Sequence, residues 1–302
     1  MSAALFTEAV EGWRDWGRVY QSIPAFTPLA KEIFHREGLP WQPLSPLTPG
    51  TNGVFRSGDL VVKIFFPKES GLDPAVDFFT EAAASRQALA WGIPTPPLEA
   101  QGQIADKYLF YYLITRYSPG KEAGDWLAQA SPRQRKRFVE RLRELLSRLN
   151  RPTEVLPVRD LKQAARKNFR LEGLTPSLRQ EVLARLEQLD LGEPVLTHGD
   201  LTGENLLVQE DGSLVVIDWA DAHRGPAWYE LGPAAFELLR GDGSLWRLFA
   251  GKDREEFAER LLDCCCLHDF GADFLVQFAQ REGEEPFQSL EEVRNLIRKK
   301  MA

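Results

Sequence analysis

The chain has 302 residues, 43% hydrophobic and 27% charged, which suits one large or two modest globular domains with apolar cores. Its formal charge of −7 argues against nucleic acid as a partner, because phosphate backbones attract basic surfaces. No apolar run reaches bilayer-spanning length, no basic-then-apolar leader opens the chain, and Cys264, Cys265 and Cys266 are consecutive, so we expect a cytoplasmic protein with no membrane partner, disulfide framework or cysteine metal cage.

Taken in order, the opening segment carries Trp13, Trp16, Val19, Tyr20, Leu29, Ile33 and Phe34 at helical spacing, with an interruption expected near Pro24 and Pro28. From Thr48 to Phe66 the texture turns to Gly-punctuated, β-branched runs, a hairpin signal turning at Ser57-Gly58-Asp59. Asp77 to Trp91 reads as a helix stopped by Gly92-Ile93-Pro94. Lys107 to Arg116 is a continuous aromatic and aliphatic run, expected to be a buried strand, and Ser118-Pro119-Gly120 marks a joint after it. Arg133 to Asn150 is a helix with Phe138, Leu142, Leu145, Leu146 and Leu149 on one face; its basic face reads as solvated surface. Beyond Gly232 the pattern is helical again. The expected fold class is α+β, with a small strand-rich lobe over residues 1–117 and a larger helical lobe over residues 118–302.

Two short apolar runs, Asn205 to Gln209 and Leu214 to Asp218, flank Asp211-Gly212, and an Asp-Gly pair in that setting signals a tight hairpin. A two-residue turn there sets Asn205 directly across from Asp218, with Cβ atoms about 4.5–5.5 Å apart on one face. An amide oxygen beside a carboxylate suits magnesium, which takes one or two protein groups and completes its shell with phosphate and water. Asp200 stands five positions before Asn205 and reaches the same region without being a ligand. That arrangement suits phosphoryl transfer, in which a carboxylate orients and deprotonates the attacking hydroxyl.

His198-Gly199-Asp200, four residues and then Asn205, followed by Ile217-Asp218-Trp219, resemble the catalytic core of the aminoglycoside phosphotransferase and choline-kinase group, small-molecule relatives of the protein kinases. The resemblance runs from about residue 48 to 235 and implies a two-lobed, protein-kinase-like fold using ATP and Mg2+. It implies that Asp200 is the catalytic base and that Asn205 and Asp218 bind the magnesium. Gly225-Pro226-Ala227-Trp228-Tyr229-Glu230-Leu231 resembles the stretch that braces the catalytic loop in this group, with Pro226 and Glu230 in place of two aspartates.

The nucleotide's other contacts are sought in the small lobe. Lys63 lies inside the apolar run Leu60 to Phe66, where a lysine is costly unless its ammonium meets anions. The turn pairs it with Val54 or Asn52, and either register brings it beside Pro49-Gly50-Thr51-Asn52-Gly53, whose glycines allow close approach to phosphate. Glu81 shares a helical stripe with Phe78, Ala82, Ser85 and Leu89 and needs a cation; the resemblance nominates Lys63. By the same resemblance, the backbone carbonyl of Arg116 and the backbone N–H of Ser118 read the adenine.

The expected activity is transfer of the γ-phosphate to a small-molecule hydroxyl. Gly199 stands where protein kinases carry an arginine that reads a phosphorylated activation loop, and the chain after Asp218 is too short for such a loop. An aminoglycoside-like acceptor is favoured if several of Asp263, Asp269, Asp273, Glu282, Glu284 and Glu285 converge. Choline, a sugar, homoserine or another amino alcohol are the alternatives; Trp219, Trp228, Tyr229 and Trp246 are the rings an ammonium cage would need. A nucleotide-binding pseudokinase is the rival of another class, weighed down by the presence of Lys63, Glu81, Asp200, Asn205 and Asp218 together.

Overall fold

The computed structural model describes residues 4–48 and 50–302, so Pro49 of the expected phosphate loop lies outside the described residues. The chain divides into two compact units: residues up to Pro119 with Asp218–Ala220, and Gly120–Ile217 with Asp221–Ala302.

The first unit opens with α1 (Trp13–Val19) and α2 (Ile23–Arg36). The break falls at residues 20–22, where Ser22 caps α2 by accepting the Ala25 N–H, and Pro24 sits in the first turn, where its missing donor costs nothing. Pro28 does not interrupt the helix. It lies in the second turn, and the helical bond it forgoes is the single one to Pro24.

An antiparallel sheet follows, in the order β1-β2-β3-β5-β4, built from β1 (Ser45–Pro46), β2 (Gly53–Ser57), β3 (Leu60–Ile64), β4 (Leu98–Ala105) and β5 (Leu109–Arg116). α3 (Pro74–Ala90) links β3 to β4, with Asp73 as its N-cap. One sheet face, with Phe55, Val62, Ile64, Phe110 and Ile114, packs against Trp16, Phe26, Leu29 and Phe34. The other, with Phe65 and Leu113, packs against Phe78 and Ala82 of α3. Because side chains alternate along a strand, Lys63 falls between Val62 and Ile64 and points to the α3 face. α3 buries Ala84 and Ala88 next to Glu81, while Leu89, expected on that stripe, is exposed.

The second unit contains a three-stranded sheet, β6 (Lys121–Glu122), β8 (Leu206–Val208) and β9 (Leu214–Val216), and a pair formed by β7 (Val195–Thr197) and β10 (His223–Gly225). Around these lie α4 (Ala123–Gln129), α5 (Pro132–Leu149), α6 (Leu161–Arg166), α7 (Pro176–Gln188), α8 (Gly243–Ala250), α9 (Arg254–Leu267), α10 (Gly271–Glu282) and α11 (Leu290–Met301). Ser131 and Gln134 form a capping box on α5, which buries the five expected apolar residues together with Val139. Cys264, Cys265 and Cys266 are free thiols buried on α9.

The β8–β9 hairpin corrects the expected register. Leu206 pairs with Val216 and Val208 with Leu214, and the Ile217 N–H donates to the Asn205 carbonyl. Asn205 therefore lies across from Ile217, one position short of Asp218. The turn holds three residues, Glu210, Asp211 and Gly212, between Gln209 and Ser213, with Gly212 at φ +77°. A left-handed residue closing a three-residue loop is the next commonest solution after the two-residue turn that Asp-Gly suggests.

Candidate active site

The loop after β7 is held from several sides. The His198 ring accepts the Asp200 N–H at Nδ1, which leaves the proton on Nε2 to be donated to the Ile217 carbonyl at 3.0 Å. Gly199 has φ +87°, and a Cβ there would stand 2.2 Å from the Asp221 carbonyl oxygen, so only glycine fits. The Gly199 N–H donates to Glu230 Oε1 at 2.8 Å. Glu230 is 1% exposed and its Oε2 has no hydrogen-bond partner among the described residues. Burial lifts its carboxyl to about 7, against the pull of the backbone N–H groups around Gly199. The brace expected of Glu230 is thus a direct hydrogen bond to the loop. At Pro226, where the second aspartate is missing, the carbonyl accepts the Tyr229 N–H.

Asp200 and Asn205 are brought together: Asn205 Nδ2 donates to the Asp200 carbonyl at 2.9 Å and to Asp200 Oδ2 at 2.8 Å. With its nitrogen committed to Asp200, the Asn205 amide offers its oxygen end elsewhere. A carboxylate fixed in this way can align a hydroxyl and take its proton.

In the first unit Lys63, opposite Val54, sits among acids. Its Nζ lies 2.6 Å from Glu81 Oε2 and 2.7 Å from Asp218 Oδ1. Burial works against the ammonium charge, but Asp218 and Glu81 outweigh it and hold the lysine pKa above its ordinary value. Burial also lifts the Glu81 carboxyl, to about 7, with Lys63 opposing. Asp218 is a non-glycine residue at φ +59°, a conformation that the chain keeps only where surroundings over-determine it. Its side chain is 42% exposed and so reachable by a ligand.

Asn205 offers an amide oxygen and Asp218 a carboxylate, each a hard donor of the kind that suits magnesium rather than zinc. Among the described residues no group of three or more His, Cys, Asp or Glu is arranged to hold a metal.

In the loop expected to cover the phosphates, Gly50 and Thr51 are exposed, whereas Asn52 is buried and its Oδ1 accepts the Phe66 N–H at 3.2 Å. At the end of β5 the Arg116 N–H donates to the Pro97 carbonyl, and Pro97 has no N–H to return. The Tyr117 N–H points the other way, to Asp59. Alternate residues present their backbone groups to one edge. The Arg116 carbonyl therefore faces the side on which Pro97 breaks the ladder. The Arg116 side chain is engaged with Glu99 at 2.6 Å.

A cavity of about 360 Å³ in the second unit is lined by Gly199, Asp221, Arg159, Asn168, Arg170, His223, Asp269 and Tyr229 among others. The acids nominated for a polycation do not converge there. Arg159 takes Asp269, Arg170 takes Asp273, Arg185 and Arg260 take Asp263, and Lys300 takes Glu282. Burial holds His223 below its ordinary pKa, so the cavity's cations are Arg159 and Arg170. Trp219, Tyr229 and Trp246 are buried core, without the open ring faces of an ammonium cage. Trp16 and Gln21, which touch the loop expected to cover the phosphates, were not singled out from sequence for any site.

The family described as phosphotransferase enzyme family matches residues 50–264. Curated protein sequences yield no significant match. The fold is shared with solved aminoglycoside phosphotransferases. An aminoglycoside 2'-phosphotransferase-IIIa in complex with GDP superposes with a TM-score of 0.63 at 18% identity, covering 93% of this chain and 99% of that one. A GDP and kanamycin complex of APH(2")-IIIa gives 0.62 at 17% identity, over 90% and 98% of the two chains. A thermostable mutant of APH(4)-Ia in ternary complex with ADP and hygromycin B gives 0.59 at 15% identity, over 90% and 97%. With most of its length matched, the chain belongs to the phosphotransferase enzyme family and is a small-molecule kinase of the protein-kinase-like fold.

Proposed function

We propose that the protein transfers the γ-phosphate of ATP, supplied as its magnesium complex, to a hydroxyl of a small molecule. The observation that carries this reading is the Lys63 ammonium, 8% exposed and held between Glu81 and Asp218. A buried cation so placed is poised to exchange carboxylate for phosphate oxygens. In this reading residues 1–117 serve the nucleotide and residues 118–302 the reaction and the acceptor. The Arg116 carbonyl and the Ser118 N–H take the adenine, Gly50 to Gly53 cover the phosphates, and Glu81 keeps Lys63 on them. Asn205 and Asp218 would hold the magnesium, which would supply charge neutralisation at the phosphate oxygens. Asp200, steadied by Asn205, aligns the acceptor hydroxyl and takes its proton, so rate comes from positioning and electrostatic complementarity. A reaction fed by ATP and three unpaired buried thiols fit the cytoplasm.

The acceptor is proposed to be aminoglycoside-like, because solved structures of the same fold hold kanamycin and hygromycin B. A second reading, an acceptor carrying a carboxylate such as homoserine, is favoured by Arg159 and Arg170 on the cavity wall and by the pairing of the nominated acids. ATP consumption with magnesium, across aminoglycosides, amino alcohols, sugars and hydroxy amino acids, decides between them, with Asp200→Asn as the blank. Turnover of one class that vanishes in the variant supports the reading and names the acceptor. Magnesium-ATP binding without turnover of any class points to a nucleotide sensor instead.

A further inference from the structure

Residues 4–48 lie ahead of the family match, yet they reach the nucleotide loop. The Trp16 Nε1–H of α1 donates to the Thr51 carbonyl at 2.8 Å. Gln21, in the turn between α1 and α2, donates from Nε2 to the Asn52 carbonyl at 3.2 Å. Trp16 itself is 1% exposed and stands edge-on to Phe26, so the donor is aimed by core packing. The Tyr20 carbonyl oxygen lies 3.1 Å from where a Gly53 Cβ would stand, which keeps the end of α1 close against the loop.

A planar trans peptide points its N–H opposite to its C=O. Holding the Thr51 carbonyl against Trp16 therefore turns the Asn52 N–H away from α1. From another direction the Phe66 N–H holds Asn52 by its side chain. The second half of the loop is fixed from several sides while Gly50 and Thr51 stay exposed.

We propose that the N-terminal helical segment is a brace for the nucleotide loop, with Trp16 and Gln21 as positioning residues that order Thr51 to Gly53 before the phosphates arrive. The inference rests on reading that loop as the phosphate cover. Ordering the loop in advance removes part of the conformational cost of binding. The consequence is specific: Trp16 and Gln21 act on nucleotide affinity and touch no reacting group.

Trp16→Phe removes the donor together with part of a buried indole, and Gln21→Met removes the second donor at similar side-chain length. Trp16→Phe should therefore melt lower as a core variant does, whereas Gln21→Met, at a half-buried position, should barely move the melting temperature. Phe6→Leu is the contrasting variant: Phe6 lies in the same core, and its ring contacts among the described residues are with Phe26, Tyr108 and Phe110. Calorimetric titration of magnesium-ATP into the full chain should give a Kd raised about three- to tenfold in Trp16→Phe and in Gln21→Met, the scale of one lost hydrogen bond. Phe6→Leu should melt lower and bind as wild type. Unchanged affinity in both loop variants, or equal weakening in Phe6→Leu, overturns the brace. A wild-type chain that binds no magnesium-ATP overturns the nucleotide reading itself, and the brace with it.

Discussion

In the first unit Lys63, Glu81 and Asp218 hold one another by charge across 18 and 155 positions of sequence, whereas in the second Asp200 is held by amide and backbone hydrogen bonds from a residue five positions away. A cluster held by opposite charges fails when any member is neutralised, because burial penalises the carboxylate or ammonium left behind. A loop held by its backbone, with Gly199 in a conformation only glycine adopts comfortably, tolerates an isosteric change of side chain and loses only that side chain's chemistry. In the proposed function, this difference separates the groups that would bind from the group that would react.

Asp200→Asn sharpens the comparison most. The new amide oxygen still accepts from Asn205, so the loop and magnesium-ATP affinity should persist, while turnover falls about 100- to 10,000-fold, the scale of general-base catalysis. Unchanged turnover removes Asp200 as the base.

Lys63→Met should weaken magnesium-ATP binding at least about tenfold and lower the melting temperature, since Glu81 is left buried beside Asp218 without a cation. Adding Glu81→Leu should recover part of the stability and none of the affinity. A double variant less stable than Lys63→Met alone breaks the account of mutual charge support.

Glu230→Gln gives the smallest effect and a pH signature. Glu230 keeps its proton more tightly folded, at about 7, than its ordinary value of 4.5. Its contribution to stability is therefore complete below about 4.5 and is lost as pH rises through about 7. The variant should gain stability relative to wild type between about pH 5 and 8 and then level off, by at most about 3 kcal/mol. A difference in chemical denaturation that stays flat with pH contradicts the buried-carboxyl reading.

Legibility in the sequence followed distance along the chain. Asp200, Gly199 and Asn205 lie within one short segment and could be read before the fold was known, whereas in the sequence Lys63 is paired with Glu81 only through the resemblance to the kinase-like group. The hairpin register could not be read, because Asp211-Gly212 serves a two-residue turn or, with Gly212 left-handed, a three-residue one, and the choice shifts every pairing by one. Three of the acids proposed for a cationic acceptor, Asp263, Asp273 and Asp269, are neutralised by arginines 78, 103 and 110 positions away, distances over which no spacing rule operates. The Trp16 contact was hidden for a different reason: an indole donating to a backbone carbonyl leaves the acceptor residue unconstrained in type.

The most direct measurement of the central claim is the affinity of magnesium-ATP for the wild-type chain and for Asp218→Ala. The account predicts saturable, magnesium-dependent binding to the wild type, weakened about tenfold or more when the carboxylate is removed, as expected for loss of a charged ligand. Wild-type binding indifferent to magnesium, or an Asp218→Ala variant that binds as tightly, contradicts it.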